Sequence, residues 1–385
     1  MFGNVKELPK PIGNYRVGVK RYDFIDQSRK QVFSFEDKNA VRKIPIILYY
    51  PSDSKENKTT EPYISIEEAK VLNKKYFRLT PKTLYKVKTH LYKDISISKK
   101  EEKYPVIIYS HGLGAYMQNN TILLSNLASL GYIVVSIGHP YEAGVLKYLN
   151  GSIVKLHTEN RKLYIGTKEE NKKIKELIKR TANSDEDYLE IEKEYNKLIA
   201  PELHSHVKIW EEDSRFILDK LYELDNGEIE SIFKGKFNLE NGAAIMGHSF
   251  GGSTAGQTCW KDKRFSCGIN IDCDNYGEYA FKDINKPFML IGQSLRERFA
   301  KSVFLNNSCD SYMVLVAKTA HLGYTDALFT SRLLNLFNLL GKRDKYEFNK
   351  IITTYIVNFL DKYHKNKKDI KLKNITFNGV KFLRK

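Results

Sequence analysis

The chain has 385 residues, 42% of them hydrophobic and 28% charged, a balance that excludes disorder as the main state. Lysine and arginine total 63 against 46 acidic residues, a formal net charge of +17, which favours polyanions or anionic lipid surfaces without defining an activity. Four cysteines without a C-x-x-C pair exclude a disulfide scaffold and read as buried thiols.

The N-terminal segment Met1 to Val17 has no apolar run of secretory type. No stretch approaches the roughly 18 apolar residues of a spanning helix, so a cytoplasmic protein is expected. The basic excess is spread out: Lys70 to Lys103 carries 11 basic and 3 acidic residues, and Asp361 to Lys385 carries 9 and 2.

Asn14 to Phe24 and Gln31 to Glu36 read as an antiparallel hairpin at a sheet edge. Short apolar, β-branched runs follow at Ile44 to Tyr50, Tyr104 to Ser110, Tyr132 to Ile137, Ala243 to Gly247, Cys267 to Ile271, Pro287 to Gly292 and Tyr312 to Ala317. Runs of this kind, separated by helical or turn-rich stretches, predict a mostly parallel sheet covered on both faces. Helices are expected at Thr121 to Leu130, at Ser253 to Trp260, and near the end, where Phe348, Ile351, Ile352, Tyr355, Ile356, Phe359 and Leu360 recur at helical spacing as a core stripe.

Between Tyr141 and His206 the strand signal lapses, and Thr167 to Leu198 reads as one or two solvated helices. We expect one domain over residues 1 to 385, carrying this charged insertion as a lid over the ligand side of the sheet.

The most informative residues are Gly247-His248-Ser249-Phe250-Gly251, between an apolar run and a helix. This is G-x-S-x-G in a strand, turn, helix context. A serine in so tight a turn has strained backbone angles, and glycines two residues to either side leave room for the neighbouring strand and helix. A serine hydroxyl is a weak nucleophile and needs a histidine base oriented by a carboxylate, in the chain order serine, acid, histidine.

Only His321 and His364 follow Ser249. His364 lies in a lysine-rich tail, whereas His321 follows the run Tyr312 to Ala317, so His321 is the expected base. Asp272, at the end of Cys267 to Ile271, is the expected acid; Asp274 is the alternative, otherwise a solvated loop acid or helix cap. Two backbone N–H groups are expected to face the oxyanion. One is that of Phe250, the other that of Leu113 in Ser110-His111-Gly112-Leu113-Gly114-Ala115. His111 reads as a loop brace.

His204-Ser205-His206 lacks the accompanying ligands of a metal site and reads as a helix start. There is no Walker loop and no G-x-G-x-x-G after a strand, so neither metal nor cofactor is expected. No nucleic-acid module accompanies the aromatic residues.

Together, Tyr104 to Ala115, Gly247 to Gly252 and Arg264 to Asp272 resemble the platelet-activating factor acetylhydrolases of the plasma and type II intracellular class. His321 with Tyr324 and Asp326 is similar to that family's histidine segment, and Leu72 to Phe77 to its pre-strand region; the likeness spans about Ile44 to Leu339. It implies an α/β-hydrolase fold and a calcium-independent serine esterase that removes short or oxidised sn-2 acyl groups from phospholipids. It also implies Asp272 as acid and Leu113 and Phe250 as oxyanion donors.

The chain departs from lipoprotein-bound members where Arg78, Lys82, Lys86 and Lys88 intervene after the Tyr-Phe pair. That favours peripheral contact with an anionic bilayer, or a soluble ester, over lipoprotein docking. Two rival readings stand beside this one: a general short-chain esterase, or a polyester or acylated-metabolite hydrolase, using the same machinery on a non-lipid substrate, and a non-catalytic membrane-binding module that exploits the +17 charge.

Overall fold

The computed structural model describes residues 7–33, 39–56, 58–75, 83–157, 167–199 and 201–385. Its strands are β1 (Arg16–Lys30), β2 (Val41–Ser52), β3 (Thr60–Pro62), β4 (Lys88–Lys93), β5 (Tyr104–Ser110), β6 (Ile133–Ile137), β7 (Val145–Lys147), β8 (Ile153–Lys155), β9 (Phe237–Asn238), β10 (Ala243–His248), β11 (Phe265–Ile271), β12 (Phe288–Gln293), β13 (Ser311–Val316) and β14 (Val380–Arg384). Among the described residues twelve strands make one sheet in the order β14-β13-β12-β11-β10-β5-β6-β2-β1-β4-β3, with β9 paired to β5 off that path. From β6 through β5, β10, β11 and β12 to β13 every pairing is parallel. All seven apolar runs lie in this sheet, so the expected mostly parallel α/β architecture is the one observed.

Parallel central strands are apolar on both faces because both faces are covered. Ile107 and Tyr109 of β5 join one core with the terminal helix Lys345–Tyr363, while Val106 and Ile108 join the other. That second core also holds Ile217 and Leu221 of the helix Pro201–Asn226 and Ala255 and Cys259 of the helix Phe250–Lys261. Every residue of the terminal helix stripe is buried, as its spacing requires. Each such side chain contributes roughly 1.5–3 kcal/mol by leaving water.

The N-terminal hairpin is corrected. β1 pairs antiparallel with β2 from Arg16↔Ser52 to Asp26↔Arg42, Gln31 to Phe33 are in no strand, and 34–36 lie outside the described residues. The long apolar β2 needs a neighbour on its outer side, and β1 supplies it. Nor is β1 the edge, since β4 and β3 lie beyond it.

The helices that position the site are α1 (Ile66–Lys75), α2 (Thr121–Ser129), α3 (Lys168–Lys179), α4 (Asp185–Leu198), α5 (Pro201–Asn226) and α6 (Phe250–Lys261). Within Tyr141 to His206 the strand signal does not lapse completely, because β7 and β8 form a separate two-stranded hairpin. At three residues each, these strands are too short to show a period. α3 and α4 start at capping boxes, Thr167 with Glu170 and Ser184 with Asp187, which satisfy the first free N–H groups. α4 is not simply solvated: Ile191, Glu192 and Tyr195 are buried. Of the pre-strand likeness, Tyr76 and Phe77 lie outside the described residues, as do Arg78 and Lys82.

Candidate active site

Between β10 and α6 the backbone turns at Ser249 with φ 55° and ψ −132°, a conformation costly for a residue with a side chain. The turn is held by Ser249 N–H donating to the Ile271 carbonyl at 2.9 Å and Gly252 N–H donating to the Ser249 carbonyl at 2.6 Å. Flanking glycines are required on steric grounds. A Cβ on Gly247 would collide with the Gly251 backbone, and one on Gly251 with the carbonyls of Ser110 and His111.

Ser249 Oγ lies 2.8 Å from His321 Nε2, and His321 Nδ1 lies 2.7 Å from Asp272 Oδ2. The three residues follow the ends of β10, β11 and β13, which the parallel pairings through β12 bring to one end of the sheet. Ser249 is half-buried, the His321 side chain is 37% exposed, and Asp272 is fully buried. His321 is held from behind, because His248 Nε2 donates to its carbonyl at 3.2 Å. Burial, reinforced by His321, pushes the His248 imidazole down to about 3, so it stays neutral.

Burial alone would raise the Asp272 carboxyl, but Arg296 and the hydrogen bonds from His321 and Gln293 hold it well below the usual carboxylate range. Gln293 N–H donates to Oδ1 at 2.8 Å and Gln293 Nε2 to Oδ2 at 3.1 Å, while Arg296 Nε donates to Oδ1 at 3.2 Å. A carboxylate fixed in this way is an orienting acceptor rather than a proton donor.

Asp274 does not reach His321. It is neither solvated nor a cap, which corrects the sequence expectation. At 3% exposure it pairs with Arg296 Nη1 and accepts from Tyr195 Oη at 2.8 Å and Tyr276 Oη at 3.1 Å. Those donors compensate its burial. Asp326 lies away from the site as well, with Oδ1 accepting from the Ile122 N–H at 3.2 Å.

Phe250 is the first residue of α6, where an N–H has no carbonyl one turn back to bond. A Cβ on Gly112 would lie 3.0 Å from Ser249 Cβ, so the 112–113 backbone runs against the serine. Leu113 packs on the apolar cluster that contains Phe250 and Trp210. His111, fully buried, has Nδ1 2.8 Å from the Gly112 carbonyl and accepts from His139 N–H at Nε2 over 3.4 Å. It braces the loop.

Sequence reasoning missed Gln293 and Arg296, which belong to no spacing rule and meet Asp272 only because β12 adjoins β11. It also missed a second serine, histidine, aspartate array. Ser110 Oγ lies 3.1 Å from His139 Nε2, and His139 Nδ1 lies 2.8 Å from Asp213 Oδ2. All three are buried, and Asp213 also accepts from Arg42 and Arg29. His204 and His206 lie in the first turns of α5 and turn to separate partners, the Gly277 N–H and Glu142.

The sheet order and the strained serine turn define an α/β-hydrolase. At the level of fold, a ferulic acid esterase from Streptomyces cinnamoneus superposes with a TM-score of 0.75 over 98% of this chain and 99% of that one, at 19% identity. The family model for platelet-activating factor acetylhydrolase, isoform II, matches residues 1–381, and the chain belongs to that family.

Curated relatives include platelet-activating factor acetylhydrolase of Cavia porcellus, 27% identical over 69% of this chain and 58% of that protein. The corresponding protein of Canis lupus familiaris is 25% identical over 94% of this chain and 78% of its own length. Against the Cavia porcellus and Bos taurus relatives the match spans under two thirds of their length.

Proposed function

We propose that the protein is a serine carboxylic ester hydrolase that cleaves short or oxidised sn-2 acyl esters of phospholipids through an acyl-enzyme. The observation that carries this reading is the continuous Ser249–His321–Asp272 hydrogen-bond path at a strained, half-buried serine. In the proposed reaction Ser249 Oγ attacks the ester carbonyl carbon while His321 Nε2 takes the hydroxyl proton. The oxyanion accepts from the Leu113 and Phe250 N–H groups. Collapse breaks the bond to the leaving lysophospholipid oxygen, which receives that proton from His321 Nε2.

Water then attacks the acyl carbonyl carbon while His321 Nε2 takes its proton, and collapse breaks the bond to Ser249 Oγ, which regains that proton from His321 as the carboxylic acid departs. Asp272 orients the imidazole and stabilises the imidazolium without itself being protonated. Nucleophile, base and donors are all supplied by the chain, so the proposed chemistry calls for no metal or cofactor.

A lipid surface as partner is supported by exposed apolar residues that follow His321 in the chain. Among the described residues no helix is long and apolar enough to cross a membrane. Yet Leu322, Leu333, Leu336 and Phe337 are exposed after His321, Leu336 to 67% and Phe337 to 62%, with Arg332 and Lys342 nearby in sequence. Exposed apolar side chains flanked by cations suit peripheral contact with an anionic bilayer.

The test is steady-state hydrolysis of phosphatidylcholines with sn-2 chains from acetyl to palmitoyl, beside p-nitrophenyl acetate and butyrate, with wild type and Ser249→Ala. Serine-dependent turnover of acetyl phospholipid that collapses with long chains is expected. Turnover of the soluble esters alone would transfer the same machinery to a general short-chain esterase.

A further inference from the structure

The carboxylate beside His321 is one end of a longer buried chain of charge. Arg296 donates through Nε to Asp272 Oδ1 at 3.2 Å and pairs through Nη1 with Asp274 Oδ1. The guanidinium is only 11% exposed and stands between two carboxylates at 0% and 4%. Asp274 is tied in turn to two helices and to its own loop. Tyr195 of α4 and Tyr276 donate to its Oδ2, and Ser253 of α6 donates to its backbone carbonyl at 2.5 Å. Tyr195 is itself stacked on Phe299 at 4.2 Å, in the short helix that begins with Arg296.

A positive charge against Asp272 has two opposed effects. It pins the carboxylate, and it weakens the pull of that carboxylate on an imidazolium at His321. A second buried carboxylate on the far side of the guanidinium restores the pull, because two acids and one cation leave one net negative charge for His321 to meet.

We propose that Arg296 and Asp274 are positioning residues for the proton transfer at His321. Arg296 fixes the Asp272 carboxylate, and Asp274, held by Tyr195 of the insertion, cancels the guanidinium charge so that Asp272 keeps its full effect on the imidazolium. The insertion then contributes a hydroxyl to the charge balance of the site. This rests on the serine esterase reading. Against His321 lies His248 from β10, which burial keeps neutral, and stacked on His248 is Tyr324, whose hydroxyl burial holds well above its ordinary range. Neither supplies the compensating charge.

The experiment is the rate of Ser249 modification by a fluorophosphonate as a function of pH, alongside p-nitrophenyl acetate turnover, with Asp274→Asn, Arg296→Gln, the double variant and Arg296→Lys. Asp274→Asn removes a negative charge, so the imidazolium is less stable. The acid-limb midpoint should fall by about one pH unit and the maximal rate by about tenfold. Arg296→Gln removes a positive charge and should raise the midpoint by a similar amount, and the double variant should return it towards wild type. Arg296→Lys keeps the charge and should leave the midpoint in place while lowering the rate.

A purely structural role predicts lower rates without opposite shifts, and midpoints that do not move would overturn the inference alone. Should Arg296→Gln not fold, Asp274→Asn and Arg296→Lys still decide it, one shifted and the other not. Wild type that takes no label at Ser249 would bring down the esterase reading and this inference with it.

Discussion

Among the described residues the same three residue types occur in the same hydrogen-bonded order twice, and on the proposed function only one set reacts. Ser249–His321–Asp272 has links of 2.8 and 2.7 Å, and Ser110–His139–Asp213 has links of 3.1 and 2.8 Å. What differs is the setting. Ser249 sits at positive φ at the mouth of the sheet beside a His321 side chain that is 37% exposed. Ser110 ends β5 with no exposed surface, and His139 is buried flat against Trp210 with ring centroids 3.8 Å apart. Connectivity alone therefore does not make a nucleophile; access and a serine held out of regular backbone do.

The carboxylates differ in the same sense. Asp272 shares one guanidinium with Asp274 and points its other oxygen at His321. Asp213 is clasped by both Arg42 and Arg29, so its charge is spent on the paired strands β1 and β2. The second array ties β5, β1, β2 and α5 together beneath the loop that carries Leu113. It reads as a structural brace.

On this account Ser249→Ala should lower kcat by about 10⁴ to 10⁶ fold and abolish fluorophosphonate labelling, whereas Ser110→Ala should cost at most about tenfold. Kinetics on a soluble ester measure both. Asp272→Asn should lower kcat by about 10⁴ fold with little change in stability. Its counterpart Asp213→Asn should do the reverse, leaving Arg42 buried without its partner at a cost of about 3–5 kcal/mol, visible as an earlier urea midpoint.

Gly251→Ala strikes both arrays at once, since its methyl would enter the Ser110 carbonyl. A loss of about 1–3 kcal/mol together with loss of labelling is expected.

His139→Asn should have the smallest effect on reactivity. Burial lowers the His139 imidazole and outweighs the opposing pull of Asp213, so it stays neutral near pH 7, and the labelling midpoint should not move. Its stability contribution is present above the unfolded histidine value of about 6.5 and is lost as pH falls towards the depressed native value. The stability gap between wild type and His139→Asn should therefore narrow from pH 7 to pH 5.

The central sheet was legible in the sequence because doubly covered strands are written as unbroken apolar runs. The turn at Ser249 was legible because its glycines are sterically obligatory. The pairing of β1 was not, since several apolar segments offer it a partner and only the folded sheet selects β2. The hairpin β7–β8 was too short to carry a period. Arg296, Asp274 and Asp213 were invisible in their roles for a different reason. A buried charge is defined by what surrounds it, and their oppositely charged partners lie 22 to 184 residues away, where no local pattern connects them.

The most direct test of the account is to label the 385-residue chain with a fluorophosphonate probe, digest it and map the modified peptide. The account predicts a single adduct on Ser249 that is lost in His321→Ala and retained in His139→Asn. An adduct on Ser110, or no adduct on a folded protein, would contradict it.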